Sequence, residues 1–217
     1  LPADGIAFDA VTAVERVPIQ VHIPGGFMVY NTLDVLAAAQ ALGISLGESA
    51  AVLAKVPHVQ GRVEVVPTPG KDYTILIDYA HTPDSMVNVL QTVKEFAKGR
   101  TVAVFGCGGD RDKTKRPPMG KAAADWSDFA VVTTDNPRTE DPAAIIEDIL
   151  PGFAGSKTPY KVVVDRVEAI HWAMDHAEKD DVIVLCGKGH ETYQEVNHVK
   201  HHMDEREIVA DYLKAGH

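Results

Sequence analysis

The feature that most restricts the fold of this chain is a series of short, continuously apolar segments that alternate with helical segments from about Val65 onward. Strands that are apolar along their whole length are typical of a parallel sheet with helices on both faces. The pattern therefore predicts an α/β fold with a doubly wound, mostly parallel sheet. The predicted strands are Tyr73–Ile77, Thr101–Phe105, Phe129–Thr133, Tyr160–Val164 and Val182–Cys186.

Helical segments separate these strands, and several begin near a proline, at Pro83, Pro117 and Pro142. Proline suits the first turn of a helix because its missing N–H would have no helical partner there. The remaining predicted elements are a helix over Val167–His176, a hairpin near Tyr193–His201 and a last helix over Asp204–Leu213.

Residues 1–65 follow a different pattern, with two short strands and two helices, the latter over Asn31–Leu42 and Leu46–Lys55. Two strands and two helices are too few to bury a stable hydrophobic core of their own. We therefore interpret residues 1–65 as the tail of a domain whose beginning is absent. Residues 66–217 are interpreted as the α/β domain itself.

Charge and composition narrow the possible partners. The formal net charge of −10 argues against a general attraction to nucleic acid or to an anionic membrane. No apolar run is long enough to span a bilayer and no signal peptide is visible, so a cytoplasmic location is expected. Cys107 and Cys186 each end an apolar run and precede a glycine, which does not suggest a disulfide framework and favours a reducing compartment. Neither has a second cysteine at ligand spacing, so no metal site is predicted.

Four segments that follow predicted strands are rich in glycine and polar residues. Ligands bind beyond the carboxyl ends of the strands in open α/β sheets, so these segments should meet at one edge. Their convergence is stronger evidence for a site than any one segment alone. They are Asp78–Asp84, Gly106–Asp112, Thr134–Arg138 and Gly187–Glu191.

The glycine-rich segment after Phe105 does not fit a dinucleotide site. Gly106 and Gly108 supply the first two glycines of GxGxxG, but Arg111 occupies the last position, where close helix packing requires a small residue. The sequence also contains no GxxxxGK[ST] segment to cradle phosphates. An oxidoreductase is therefore disfavoured.

Two arginines and a carboxylate in these segments suit a zwitterionic amino acid. Arg111 and Arg138 each offer a fork that binds a carboxylate, and Glu191 could hold an ammonium. Alternatives remain for each: Arg111 could pair locally with Asp110 or Asp112, and Glu191 could be a solvated loop charge.

Further candidates have simple structural alternatives. Asp78 ends the first predicted strand of the α/β domain, where an aspartate can accept ribose hydroxyls. His81 is either a ligand contact or a turn residue bonded to the backbone. Asn136 and Pro137 could form only a turn, with Asp141 capping the next helix.

Taken together, these motifs resemble the Mur ligases of peptidoglycan synthesis over about Phe27–Leu213. The element Asp135–Arg138 resembles the signature of members that add meso-diaminopimelate, whereas lysine-adding members differ there. The similarity rests on Tyr30–Asn31, Gly61–Glu64, Asp78–Asp84, Gly106–Pro117, Asp135–Pro142 and Gly187–Gln194.

The resemblance implies a fold and roles for individual residues. It implies a Rossmann-like carboxyl-terminal domain, preceded by the tail of a central ATP-binding domain. The residues implied to bind the distal centre of diaminopimelate are Arg111, Asp135, Asn136, Arg138, Gly187 and Glu191. Those implied to contact ATP are Asn31, Arg62, Asp78 and His81.

The resemblance also implies the chemistry of a whole enzyme. Family members use ATP and Mg²⁺ to convert a carboxylate of a UDP-N-acetylmuramoyl-dipeptide into an acyl phosphate, which the incoming amine attacks. The P-loop, most Mg²⁺ ligands and the UDP-binding domain of the family have no counterpart in this sequence. We therefore expect no ligase activity from these 217 residues alone. The alternatives are part of a lysine-adding member and a module that binds amino acid or nucleotide without catalysis.

Overall fold

A computed structural model describes residues 5–23, 25–56 and 59–216. The chain divides into two compact units between Val59 and Gln60, earlier than the boundary expected at residue 65. The difference has a simple cause: strand β3 (Glu64–Val66) pairs antiparallel with strand β4 (Thr74–Asp78) of the α/β sheet. The sequence pattern did not reveal β3.

The first unit consists of a hairpin and two helices. Strands β1 (Ile6–Val11) and β2 (Arg16–Val21) pair antiparallel, followed by helices α1 (Phe27–Ala41) and α2 (Leu46–Leu53). These elements share a small apolar core. That this unit is the tail of an ATP-binding domain stays a prediction.

The second unit contains the predicted mostly parallel sheet. Its six strands lie in the order β3-β4-β8-β5-β6-β7, and only β3 is antiparallel. A separate hairpin of β9 and β10 lies outside this sheet. The remaining strands are β5 (Thr101–Phe105), β6 (Phe129–Val132), β7 (Tyr160–Val162), β8 (Val182–Cys186), β9 (Tyr193–Val196) and β10 (Val199–His202).

Helices α3, α5, α6 and α7 of this unit begin at side chains that cap them, whereas α4 has no side-chain cap. Thr82, Asp141, Asp165 and Asp204 each accept a hydrogen bond from a backbone N–H of the first turn, as the sequence led us to expect for Asp141. The helices are α3 (Pro83–Lys94), α4 (Arg116–Trp126), α5 (Pro142–Ile149), α6 (Arg166–Asp175) and α7 (Glu205–Lys214).

Two apolar layers hold the sheet between the helices. Because successive side chains of a strand point to opposite faces, Leu76 packs into the layer with α3, α4 and α5. Its neighbours Ile75 and Ile77 pack into the layer with α6 and α7. The predicted doubly wound α/β fold is therefore confirmed. Among the described residues, no helix is long and apolar enough to cross a membrane.

Candidate functional site

The four polar segments meet at a cavity of about 390 Å³ at the carboxyl edge of the sheet. They converge because β4, β8, β5 and β6 are neighbours and run parallel. The predicted site residues that line the cavity are His81, Arg111, Asp135, Asn136, Arg138, Gly187 and Glu191. Asp78 and Arg62 do not line it, and Asn31 belongs to the first unit.

Asn136 is a buried hydrogen-bonding centre of the cavity. Its Oδ1 accepts from Nζ of Lys188 at 2.7 Å and from the backbone N–H of Glu195 at 2.9 Å. Its Nδ2 donates to Oε2 of Glu191 at 2.9 Å. The segment Asn136–Pro137 is therefore more than a turn.

Glu191 is not a solvated loop charge. Its Oε2 also accepts from the fully buried ammonium of Lys188 at 2.9 Å. Burial by itself raises the pKa of the Glu191 carboxyl, but hydrogen bonds from Lys188 and Asn136 outweigh it, so the pKa lies below the ordinary value of 4.5. Glu191 therefore presents an ionised carboxylate to the cavity.

Arg138 is held by both backbone and side chain. Its φ of +51° places it in the left-handed region, where backbone bonds to Glu195 and Asn197 of the β9–β10 hairpin fix it. Its Nε lies 3.2 Å from the Glu195 carboxylate, and its Nη1 donates to the carbonyl of Gly109 at 2.7 Å. A Cβ at Gly108 would lie 2.9 Å from the same Nη1, so glycine makes room for the guanidinium.

Arg111 does not pair with the neighbouring carboxylates. It donates a long hydrogen bond, 3.4 Å, to the backbone carbonyl of Asp110. The Asp110 carboxylate instead accepts from Thr139, and that of Asp112 accepts from Thr114. Within residues 5–23, 25–56 and 59–216, Arg111 forms no ion pair, so its charge is open to a ligand.

Arg116 stabilises the glycine-rich segment 106–112 through Glu140. Its buried guanidinium lies 2.8 Å from a carboxylate oxygen of Glu140 and of Asp148. Glu140 also accepts from the backbone N–H of Asp110, at 2.6 Å. Hydrogen bonds from Arg116, Lys113 and that N–H lower the pKa of Glu140 to about 2, so this support stays charged at neutral pH.

The thiol of Cys107 lines the cavity but is poorly suited to nucleophilic chemistry. Burial, reinforced by the charge of Asp135, raises its pKa to about 12. The thiolate is the reactive form, so Cys107 is inert at neutral pH. Its place in the cavity is explained by packing against the core.

Gly187 allows the close approach of Asp135. Its φ is +114°, and a Cβ there would lie 2.4 Å from Oδ2 of Asp135. Gly70 also has a positive φ, +76°, but a Cβ there would meet nothing within 4 Å.

Gly187→Ala should therefore destabilise the second unit more than Gly70→Ala. Both substitutions carry the cost of a left-handed alanine, on the order of 1 kcal/mol, but only the first also displaces Asp135. Chemical denaturation followed by tryptophan fluorescence would measure the difference, since both tryptophans lie in this unit. Equal losses would contradict the close approach.

Asp78, one of the residues predicted to contact ATP, has a structural role in the second unit. Asp78 is buried, and its two carboxylate oxygens accept from the backbone N–H groups of Val63 and Ala80, both at 2.8 Å. Burial raises the pKa of this carboxyl despite those bonds. Asp78 thus fastens the segment before β3 to the end of β4, and its contact with ATP stays a prediction.

His81 and Arg62 both lie against Tyr79. The Nδ1 of His81 is 2.7 Å from the carbonyl of Tyr79, which is the turn contact named as an alternative. The guanidinium carbon of Arg62 lies 5.2 Å from the Tyr79 ring centre, within cation–π range. Asn31 lies on α1 of the first unit, where its Nδ2 is 3.7 Å from Sδ of Met28. Nucleotide contacts of all three stay predictions.

The comparison with protein families decides the relationship. Residues 61–189, more than half of the chain, match the family described as Mur ligase, glutamate ligase domain.

The chain belongs to the Mur ligase family.

The similarity to curated Mur ligases extends over nearly the whole chain. It is 48% identical over 97% of its length to the UDP-N-acetylmuramoyl-L-alanyl-D-glutamate–2,6-diaminopimelate ligase of Clostridioides difficile (strain 630). The enzyme of the same name from Bacillus cereus is 46% identical over 98% of the chain. In both cases the chain spans 43% of the relative's length.

Solved structures give the same family and fold. A structure of a UDP-N-acetylmuramoyl-L-alanyl-D-glutamate–2,6-diaminopimelate ligase is 37% identical and superimposes with a TM-score of 0.69, covering 96% of this chain and 42% of that one. A pseudomurein peptide ligase type C from Methanothermus fervidus has a TM-score of 0.72 at 22% identity, covering 95% of this chain and 40% of its own. The latter likeness concerns the fold alone.

Sequence reasoning about this Mur ligase site missed the supporting charges. Lys188 and Glu195 hold Asn136, Glu191 and Arg138, yet neither was singled out. Lys188 could have been identified from the sequence, because it lies between two glycines directly after an apolar strand. For Glu195 no signal existed, because only the folded hairpin brings it to the Asp135–Arg138 segment.

Proposed function

We propose that this chain is part of an ATP-dependent ligase that adds meso-diaminopimelate to UDP-N-acetylmuramoyl-L-Ala-D-Glu during peptidoglycan synthesis in the cytoplasm. The second unit is the part that recognises the incoming amino acid. The observation that carries the proposal is the cavity in which Arg111, Arg138, Asn136 and Glu191 meet. The names of the relatives agree with it.

The charges of the cavity suit one end of diaminopimelate. Its distal centre carries a carboxylate and an ammonium on the same carbon. The guanidinium of Arg111, which has no ion pair in the described part of the chain, and the partly paired one of Arg138 can receive the carboxylate. The ionised Glu191 and buried Asp135 can receive the ammonium.

Discrimination against lysine follows from the same charges. Lysine has no distal carboxylate, so its binding would leave the largely buried guanidinium of Arg138 without the second partner for which it is placed, whereas Arg111 is exposed. Such a loss costs about 2–5 kcal/mol, or roughly 30-fold to several-thousand-fold in affinity. That is enough to select between two amino acids without an editing step.

The nucleotide chemistry belongs to the whole ligase. ATP and Mg²⁺ would supply the acyl phosphate, a reaction that depends on positioning and neutralising phosphate charge. Among the described residues, no three His, Cys, Asp or Glu side chains gather closely enough to hold a metal ion. We propose Asn31, Arg62, Asp78 and His81 as contacts of this chain with ATP.

A backbone NMR titration of this chain tests the proposed recognition. We expect meso-diaminopimelate to shift the amide signals of the segments 106–112, 134–138 and 187–191, and L-lysine at equal concentration to leave them nearly unchanged. Equal responses would favour a lysine-adding or unselective member. No response to either amino acid would contradict the proposal that this chain recognises the substrate.

Ligase activity of the isolated 217 residues is expected to be undetectable. Their sequence has no phosphate-cradling GxxxxGK[ST] segment, and phosphoryl transfer depends on such groups. The measurement is ADP release in the presence of ATP, Mg²⁺, the UDP-dipeptide and meso-diaminopimelate. A full-length relative serves as the positive control, and measurable ADP release dependent on the amino acid would refute the expectation.

A further inference from the structure

Lys188 is a fully buried lysine between two glycines, Gly187 and Gly189, that are buried as well. Burying an ammonium is costly unless the charge is paired and hydrogen-bonded. An inward lysine at such a place therefore requires partners that hold it there.

The partners of Lys188 are two side chains of the proposed amino-acid site. Its Nζ donates to Oδ1 of Asn136 at 2.7 Å and to Oε2 of Glu191 at 2.9 Å. It also lies 5.2 Å from the centre of the Tyr193 ring, within cation–π range. Lys188 itself does not line the cavity, so it acts through the residues that do.

The two donors to Asn136 determine which way its amide faces. Nζ of Lys188 and the backbone N–H of Glu195 both require an oxygen acceptor, so Oδ1 must face them. Nδ2 is then turned toward Glu191, whose carboxylate takes one of its two hydrogens. The second hydrogen has no acceptor among the described residues, so a ligand carboxylate in the cavity could accept it.

We propose that Lys188 is a positioning residue that fixes the orientation of the Asn136 amide and holds Glu191 as a carboxylate ready for the ligand ammonium. The identity of the ligand, meso-diaminopimelate, rests on the proposed function. The orientation of Asn136 and the charge of Glu191 can be measured without any ligand. Without Lys188, Asn136 loses the donor that selects its orientation. Glu191 loses its nearest positive charge while remaining partly buried.

The titration of Glu191 separates this role from general structural support. Burial raises its pKa, whereas Lys188, Asn136 and His190 lower it. Asp135, Arg111 and Arg138 share the cavity with Glu191 and are unchanged by substitution of Lys188. Removal of the ammonium should therefore raise the Glu191 pKa. Since the ligand ammonium needs the ionised carboxylate, affinity should be lost at a higher pH than in the parent chain as the pH is lowered.

The test is Lys188→Met, with Lys200→Met as the matched control. Lys200 lies 3.9 Å from the centre of the same Tyr193 ring but is exposed. In the ligand-free chain, we expect only Lys188→Met to raise the Glu191 pKa, measured by carboxyl ¹³C NMR, and to shift the Asn136 side-chain amide signals. An unchanged Glu191 titration would overturn the inference.

Binding of meso-diaminopimelate provides the second measurement. We expect Lys188→Met to weaken it by about tenfold to about a hundredfold at neutral pH, and Lys200→Met to leave it unchanged. If the parent chain does not bind meso-diaminopimelate, the proposed function fails, while the ligand-free titration still decides the role of Lys188.

A third measurement needs no variant and remains available if Lys188→Met does not fold. The Lys188 ammonium of the parent chain should give slowly exchanging N–H signals, because a buried, hydrogen-bonded group is shielded from water. Rapid exchange like that of exposed lysines would overturn the inference.

Discussion

Arg138→Ala should weaken binding of meso-diaminopimelate by roughly 30-fold, which corresponds to about 2 kcal/mol, and leave the weak binding of L-lysine nearly unchanged. The expected value lies at the lower end for a lost charge-assisted contact, because Glu195 already takes part of the Arg138 charge. Isothermal titration calorimetry with both amino acids would measure the effect. The ratio of the two affinities should fall by a similar factor.

Two further variants make this prediction specific. Arg138→Lys keeps the charge but loses the planar fork, so we expect it to recover little selectivity. Arg16→Ala removes an exposed arginine of the first unit and should change neither affinity. If Arg138→Ala weakened the binding of lysine as much as that of diaminopimelate, Arg138 would stabilise the Asp135–Arg138 segment without binding the distal carboxylate.

The sequence was sufficient to predict the sheet and its polar edge. Continuously apolar runs such as Val182–Cys186 have few structural alternatives, and the observed strand has these bounds. Since parallel strands bring their carboxyl ends to one edge, the convergence of four polar segments followed from the pattern. Recognition of the family required only that these segments occur in order along the chain.

The strand order and the charge network could not be derived in this way. Strand β8 is inserted between β4 and β5, so Lys188 comes to face Asn136 from a distant part of the chain. Short strands such as β3 leave no periodic signal. Whether a charged side chain points into the cavity or into the loop depends on partners that the sequence alone does not bring together.

A second large effect is expected at Arg166, which lies fully buried beneath the cavity. Its Nε lies 2.8 Å from Oε1 of Glu205, and its guanidinium donates to the carbonyls of Cys186 at 2.7 Å and Thr134 at 3.3 Å. These carbonyls immediately precede Gly187 and Asp135. Arg166 thus fixes the ends of β8 and β6 where they deliver residues to the site.

Arg166→Met should lower the free energy of unfolding of the second unit by about 3–5 kcal/mol, because it leaves a buried carboxylate uncompensated. Burial already raises the pKa of Glu205, with Arg166 opposing it, and Oε2 of Glu205 has no hydrogen-bond partner within the described residues. The double variant Arg166→Met with Glu205→Met should recover much of the loss, since it removes both charges. Urea unfolding followed by tryptophan fluorescence measures all three proteins.

The pH dependence distinguishes an uncompensated charge from a simple packing defect. In Arg166→Met the pKa of Glu205 should rise further, because its opposing positive charge is gone. A carboxyl whose folded pKa exceeds its unfolded value adds stability that is fully present below the unfolded value near 4.5 and is lost as pH rises through the folded value. The deficit of Arg166→Met should therefore be smaller at pH 5 than at pH 8, whereas the surface variant Lys121→Met should differ little from the parent at either pH. A deficit independent of pH, with no recovery in the double variant, would assign the loss to packing and leave Glu205 without the expected charge.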